Sequence, residues 1–294
     1  MPARRRRFAA ALATVVLTSG LSAGGAACTR STVEPPSVPT TVAPPGCQSV
    51  APAQQVLSGV RAASLAVSDH PFGIVYSPHD GTAFVAVGAS LDVLATDAFP
   101  PRLIRTVPLP PVGDVGPGAA GTAGTALTHN GRYLLLADGG GAVVVDEARA
   151  RTGTPNPVLG VLSGTAGTNA IEVSISPDDH YVFVSQEYGT RTNGQRGEID
   201  VFNLRSALNS GFTSSAEVGS ISLAFAVVGS AVSADGRQLY VTSENTAKGA
   251  GDTGKLSVLD LATLETNPSA AQVATVPADV NQCVLPPRLM ARCG

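Results

Sequence analysis

The chain has 294 residues, a formal net charge of −3, and only 14% charged and 4% aromatic residues. It carries no basic cluster beyond its N-terminus that would attract phosphate backbones or anionic lipid, which argues against a nucleic-acid partner. Glycine (32 residues) and proline (22 residues) are frequent, and no stretch has a long helical period. This composition favours an all-β fold.

The N-terminus has the layout of an export signal. Four consecutive arginines, Arg4–Arg7, precede an apolar stretch from Phe8 to Leu17. This stretch is too short to favour a membrane span, so we predict a cleaved signal over residues 1–27. The mature protein is then extracytoplasmic, either secreted or attached to the membrane by a lipid.

Cys28 decides between these two locations. The small residues before it permit simple cleavage, but they also resemble a lipobox, in which the cysteine is diacylated and anchors the protein. Gly25 stands where a lipobox has leucine. Residues 28–47 are rich in proline and threonine and read as a tether. We therefore expect lipidation at Cys28, with simple secretion as the alternative.

The other cysteines are Cys47, Cys283 and Cys293. No CxxC pair or zinc-type spacing occurs, so the sequence predicts no metal site built on cysteine. An exported location permits disulfides, but three cysteines cannot all pair within one chain. The disulfide state stays open.

Residues 48–278 contain a repeated sequence pattern: an apolar run, a tight polar turn and a second apolar run. The turns open at Ser77, Thr128, Ser176 and Ser233, in steps of 51, 48 and 57 residues. Three of these turns contain Asn-Gly or Asp-Gly, a hairpin signal for type I′ turns with two positive φ angles. A period near 50 residues built from hairpins predicts a β-propeller with one four-stranded blade per repeat.

The predicted blades span residues 73–107, 124–162, 170–223 and 225–276. Residues 54–60 add a partial blade, so the ring is complete or incomplete depending on how this strand is used. An acid lies at or near the end of the third strand in three blades, at Asp146, Asp200 and Asp260. Such positions suit capping and turn chemistry.

Residues 233–243 (SADGRQLYVTS) and 256–261 (LSVLDL) carry a family resemblance. They resemble the YVTN-type, lactonase-like β-propellers of bacterial exported proteins, over residues 71–276, although Ser243 stands where the family name expects asparagine. The resemblance implies the propeller fold. For activity it implies either a lactone hydrolase or a binding scaffold, and lactonase-like members use rim histidine, glutamate and arginine residues, or acid and amide ligands around a divalent ion.

Alignment of the blades places Glu187 and Glu244 at equivalent rim positions on adjacent blades, after the second strand. Glu187 opens a long polar loop that also contains Tyr188, Arg191 and Arg196. Two carboxylates and two arginines in one funnel could bind a divalent metal, or polarise a lactone carbonyl and supply a base. The alternative is that these acids cap turns and stay solvated.

The histidines do not form a site together. His79, His129 and His180 fall in the turns at the opposite rim, a blade width apart and too far for one shared metal. His70 is the histidine on the interblade side, and we keep it as a ligand-rim candidate with Tyr188 and Arg196.

These patterns leave three functions open. The first is an exported scaffold that binds an unidentified small molecule or protein at the cell envelope. The second is a lactonase with Glu187, Glu244 and Arg191 as catalytic candidates, with a divalent cofactor if it is hydrolytic. The third is a truncated, non-functional fragment, because residues 279–294 lose the blade pattern and read as a frameshifted tail that replaces later blades.

Overall fold

The computed structural model describes residues 61–79, 81–112, 121–164, 168–189, 196–245 and 254–278, together with Gly59 and Gly194. The predicted signal, Cys28, the tether, the strand at 54–60 apart from Gly59, Arg191 and the tail at 279–294 lie outside these residues. Within the described part of the chain, no helix has the length and apolar content that a membrane span requires.

The described residues form sixteen strands in four antiparallel sheets of four strands each. The first two sheets contain β1 (Pro71–Tyr76), β2 (Thr82–Val87), β3 (Ser90–Ala95) and β4 (Arg102–Pro108), then β5 (Thr125–Leu127), β6 (Tyr133–Asp138), β7 (Gly141–Asp146) and β8 (Val158–Ser163). The last two contain β9 (Ala170–Ile175), β10 (Tyr181–Gln186), β11 (Glu198–Asn203) and β12 (Glu217–Ser222), then β13 (Phe225–Val232), β14 (Gln238–Asn245), β15 (Gly254–Asp260) and β16 (Gln272–Ala278). We number these sheets blades 1 to 4.

Each blade is a meander in which consecutive strands pair. This arrangement confirms the prediction of an all-β propeller with four clear blades of about 50 residues. The second and third strands of blades 1 to 3 are almost entirely buried, as in β2 and β7, whereas β14 and β15 of blade 4 are only partly buried. Sheets covered on both faces require such continuous apolar runs, which explains sequences like Leu134–Leu136 and Val143–Val145.

The core lies between blades. One cluster joins blades 1 and 2 around Phe84 and Leu136, a second joins blades 2 and 3, and a third joins blades 3 and 4 around Phe183 and Leu239. Among the described residues, extensive packing runs from blade 1 to 2, from 2 to 3 and from 3 to 4, but not from blade 4 to blade 1. Each interface is therefore built from side chains of two neighbouring blades.

The turns between first and second strands are organised by a hydroxyl group. In blade 3, Ser176 Oγ accepts the N–H groups of His180 (3.1 Å) and Tyr181 (2.9 Å) and donates to Asp178 (2.6 Å). Thr128 and Ser233 accept and donate in the same way in blades 2 and 4. These are four-residue loops, so the prediction of type I′ turns was wrong. In blades 2 to 4 one loop residue has a positive φ, at Gly131, Asp179 and Gly236.

Short helices follow the third strands of blades 2 to 4, which the sequence patterns did not predict: α1 (Glu147–Thr152), α2 (Leu204–Ser210) and α3 (Leu261–Leu264). Asp146 and Asp260 cap α1 and α3, as predicted, and accept the N–H groups of Arg149 and Thr263.

Asp200 is the exception among the third-strand acids. It lies inside β11, is fully buried and accepts Gln186 Nε2 at 2.8 Å, while Asn203 caps α2. The capping prediction for Asp200 was wrong, because the strand continues for three more residues.

Candidate functional site

The rim opposite the hydroxyl-centred turns carries the candidate site. Glu187 follows the last residue of β10, and Glu244 is the penultimate residue of β14. Both strands are the second of their blade, so the two glutamates leave neighbouring sheets at the same end. This is the arrangement that blade alignment predicted.

Glu187 is held by its own blade and by blade 4. Its N–H donates to Asn169 O at 2.8 Å, and its carbonyl accepts the N–H of Val227 at 3.3 Å. Asn169 also donates its side-chain Nδ2 to Glu187 Oε2 at 2.9 Å. Asn169 precedes β9 and Val227 belongs to β13, so the carboxylate is oriented at the boundary between blades 3 and 4. Asn169 was not among the predicted site residues.

Tyr188 joins the two glutamates electrostatically. Burial raises the pKa of the Tyr188 phenol, the charge of Glu187 and a hydrogen bond to it raise it further, and the charge of Glu244 adds to this. Tyr188 is nevertheless 46% exposed. Glu187 and Glu244 therefore both lie within electrostatic reach of the Tyr188 phenol, at an accessible part of the rim. We call these three residues, with Asn169, the rim cluster.

The other predicted site residues are placed differently. Arg196 Nε donates to Leu223 O at 2.6 Å, which ties its guanidinium to the connection between blades 3 and 4. His70 is exposed on blade 1, where Asp69 Oδ1 contacts both its N–H (2.8 Å) and its Nδ1 (2.6 Å). No described contact brings His70 to the rim cluster, and Arg191 lies outside the described residues.

Two further carboxylates lie in blades 2 and 3. Asp138, at the end of β6, is buried, and burial raises its pKa to about 6 against the opposing effect of the Gly139 N–H. Glu172, on β9, has a pKa raised by burial to about 7, opposed by the Val173 N–H. The burial of both groups works against the charged carboxylate.

Glu172 interrupts a glycine series. The fourth residue before each turn hydroxyl is Gly73, Gly124 and Gly229 in the other three blades. The Glu172 carboxylate lies over Gly124 of the preceding blade, where a Cβ would collide with Oε2. Glu172 thus puts an acid on an innermost strand where the repeat normally has no side chain. Superposing the repeats would have revealed it from sequence.

The rim cluster offers hydrogen-bond acceptors and one phenol. The described residues contain no group of three or more histidine, cysteine, aspartate or glutamate side chains placed to hold a metal ion. Chemically, the cluster can accept hydrogen bonds from ligand hydroxyl or amino groups, and an oriented carboxylate can serve as a general base.

Two clefts lie at the opposite rim, at equivalent places between blades. One, of about 330 Å³, separates Pro177 of blade 3 from Arg237 and Glu265 of blade 4. The other, of about 290 Å³, separates His79 of blade 1 from Arg132 of blade 2. Their repetition identifies them as products of blade packing.

No protein-family model matches this chain, and no curated protein matches it either. Similar solved structures include a protein of Lactobacillus plantarum, with a TM-score of 0.53 and 18% identity over 70% of this chain and 57% of that one. Hydrazine synthase of Kuenenia stuttgartiensis (TM-score 0.49, 18% identity, 75% and 53% covered) and a candidate 6-phosphogluconolactonase of Bacteroides uniformis (0.49, 12%, 71% and 58%) are also similar.

The chain spans a little over half the length of each of these proteins. At such identities the similarity concerns the fold alone, and it agrees with the four meander sheets described above. The chain is an all-β propeller.

Proposed function

We propose that the protein is an exported β-propeller that binds a small polar ligand at the rim cluster. The observation that supports this proposal is the convergence of Glu187, Tyr188 and Glu244 from two blades at an exposed position. Propeller rims bring loops from several blades together, so a ligand there contacts more than one blade. Acceptors dominate the cluster, so the ligand carries hydroxyl or amino donors.

A thermal-shift screen of polyols, sugars, sugar lactones and small amines on purified protein tests this proposal. Ligands that stabilise the wild type should lose their effect on Glu187→Gln/Glu244→Gln, because the amides replace half of the acceptor oxygens by donors. Glu217→Gln is the matched control, since Glu217 is exposed on blade 3 away from the cluster. Equal ligand shifts in the double variant and the wild type would contradict the rim assignment.

Lactone hydrolysis is the second candidate. The observation that favours it is the orientation of Glu187 by Asn169 beside the Tyr188 phenol, which places a potential base next to a potential hydrogen-bond donor. In this scheme Glu187 removes a proton from water as it attacks the lactone carbonyl, and the phenol donates to the developing oxyanion. The ring C–O bond to the carbonyl carbon then breaks, and the leaving alkoxide takes the proton from Glu187.

The test is turnover of a lactone panel with and without added divalent ions. Turnover that falls at least about a hundredfold in Glu187→Gln supports the hydrolase, a loss typical of a general base. Turnover at background level under all conditions rejects it. Turnover that survives Glu187→Gln and Glu244→Gln means that the reaction occurs elsewhere in the chain.

The cellular location is part of the proposal and rests on the sequence of residues 1–47. We propose that the mature protein begins at Cys28 and carries a lipid there, with residues 28–47 as a spacer. Intact-mass measurement of native protein distinguishes the cases: an added diacyl mass and recovery with membranes support the anchor, and an unmodified N-terminus leaves simple secretion.

A further inference from the structure

The innermost strands show which side chains face which neighbour. Val173 and Ile175 of β9 pack into the cluster shared with blade 2, whereas Ser174 Oγ lies 2.9 Å from Ser230 Oγ of blade 4. Side chains one, three or five positions before the turn hydroxyl therefore face the preceding blade. Side chains two or four positions before it face the following blade. Leu127 and Val232 obey the same rule in blades 2 and 4.

In blade 1 the positions that face backwards are exposed. Phe72 (60%), Ile74 (65%) and Tyr76 (62%) are the register equivalents of Ile171, Val173 and Ile175. Val173 and Ile175 are only 2% and 6% exposed, because blade 2 covers them. We call Phe72, Ile74 and Tyr76 the leading face. It is an apolar stripe on one side of β1 that has the character of an interblade surface.

Blade 4 ends in the complementary surface. In blade 3, Phe183, Ile199 and Ile221 are buried against blade 4. Strand pairing gives their equivalents in blade 4, because Ile199 pairs with Ile221 as Leu256 pairs with Val276. The equivalent residues are Tyr240, Leu256 and Val276.

We call these three residues, with Val273, the trailing face. Tyr240 and Leu256 are half-buried, whereas Val273 (60%) and Val276 (51%) are exposed. The trailing face is apolar, as its equivalents in blade 3 are. The equivalent surfaces of blades 1, 2 and 3 each pack on the first strand of the following blade. The trailing face is the same kind of surface at the end of blade 4.

We propose that a second copy of this chain covers these surfaces, with the trailing face of one copy packed on the leading face of the other. The contact continues the interface already formed between blades 1 and 2, 2 and 3, and 3 and 4. Each copy carries both faces, so two copies related by a two-fold axis satisfy all four surfaces in a closed pair. On blade 1 this chain's own Val67 packs against the buried cluster that contains Val85, so the exposed stripe of β1 is the part left for the partner.

Sedimentation of the full-length chain at several concentrations tests the pair. The wild type should sediment with twice the mass of one chain. Ile74→Asp and Val276→Asp should each raise the dissociation constant at least about tenfold, because a carboxylate is buried in an apolar contact. Ala262→Asp adds the same charge to an exposed residue of α3 and should leave the pair intact. A monomeric wild type at all concentrations would overturn the proposal.

A photo-crosslinking measurement identifies the occupant. Benzoylphenylalanine replaces Tyr76, and ¹⁵N-labelled and unlabelled chains are mixed before irradiation. The proposal requires mixed-isotope crosslinks from position 76 to residues 272–278. Crosslinks within one copy, to residues 1–58 or 279–294, would show that a segment of the same chain covers the leading face and would overturn the second-copy assignment, as would mixed crosslinks to a different surface.

Discussion

The aspartates of the hydroxyl-centred turns differ from two buried carboxylates nearer the opposite rim. At the turn rim, Asp235 accepts the Ser233 hydroxyl and the Arg237 N–H, and these bonds lower its pKa. At the other rim, burial raises the pKa of Asp138 to about 6 and that of nearby Glu172, on the innermost strand, to about 7. Asp235 completes its turn, whereas Asp138 and Glu172 are charged only at a cost in stability. Burial also raises the pKa of Glu265, which lines a turn-rim cleft outside the turns themselves.

This difference separates carboxylates that stabilise the fold from carboxylates that can bind a ligand. A carboxylate whose oxygens already accept several N–H and O–H groups has little capacity left for a ligand. A carboxylate whose pKa is raised by burial gains from a ligand that donates a hydrogen bond or neutralises its charge. The comparison therefore favours Asp138 and Glu172 over the turn aspartates as carboxylates that gain from a bound ligand.

The largest effect is expected at Glu147, a buried turn-rim acid. Ser77 Oγ donates to Glu147 Oε1 at 2.6 Å, and Arg151 Nε lies 3.1 Å from the same oxygen. Blade 1 has His79 where the other turns have the acceptors Asn130, Asp178 and Asp235, so Glu147 of the next blade supplies the missing oxygen. Glu147→Ala should lower the free energy of unfolding by about 2–4 kcal/mol, since it leaves buried polar groups unpaired.

Denaturant or thermal unfolding of the purified variant measures this loss. Blades 3 and 4 have Leu204 and Leu261 at the position of Glu147. The double variant Ser77→Ala/Glu147→Leu places an apolar contact there, as in those blades, and should recover part of the lost stability. A loss below about 0.5 kcal/mol for Glu147→Ala, the range of ordinary surface changes, would contradict the structural role.

The next largest change in stability is expected at Glu172, whose replacement should stabilise the protein. Its pKa is raised from 4.5 to about 7 by burial, so the folded state binds the proton more tightly than the unfolded state between these values. Stability should therefore be greatest below the unfolded pKa and fall as the pH rises through the folded pKa. Glu172→Gln removes this dependence and should stabilise the protein by about 1–3 kcal/mol at pH ~8 relative to the wild type.

Unfolding midpoints across the range from about pH 5 to pH 8 test this prediction. Asp138 contributes a similar slope around its own pKa of about 6, so Glu172→Gln should reduce the wild-type slope without removing it. Asp178→Asn is the contrasting variant at the turn rim. Burial raises the pKa of Asp178, but Ser176 and His180 together outweigh burial and hold this pKa low. The stability that Asp178 contributes is therefore lost as the pH falls through its folded pKa, the opposite of the trend for Glu172. A slope that is unchanged in Glu172→Gln would refute the burial argument.

The repeat made the fold predictable, because hydroxyl-led turns and apolar runs recur at a blade's period. The register of Glu187 and Glu244 followed from the same alignment. Asn169 was missed because an irregularity near the end of β10 shifts the pairing, so that Gln186 lies opposite Ala170 and Glu187 reaches Asn169. The short helices were missed because six or fewer residues per helix leave no readable period in α1 and α3.

The smallest loss of stability is expected at Asp146. Comparing it with Asp200 distinguishes a third-strand acid that caps a helix from one that is buried in a strand. Asp146 Oδ1 accepts the Arg149 N–H at 2.9 Å at the start of α1, and the side chain is partly exposed. Asp146→Ala should cost about 1 kcal/mol, the usual value of an N-cap, and Asp146→Asn should restore most of it because asparagine also caps, as Asn203 does in α2. Asp200→Ala, which empties a buried strand position, should cost more than Asp146→Ala. Equal losses from the two alanine variants, measured by the same unfolding assay, would mean that Asp200 acts as another exposed cap and that the buried contact with Gln186 contributes nothing.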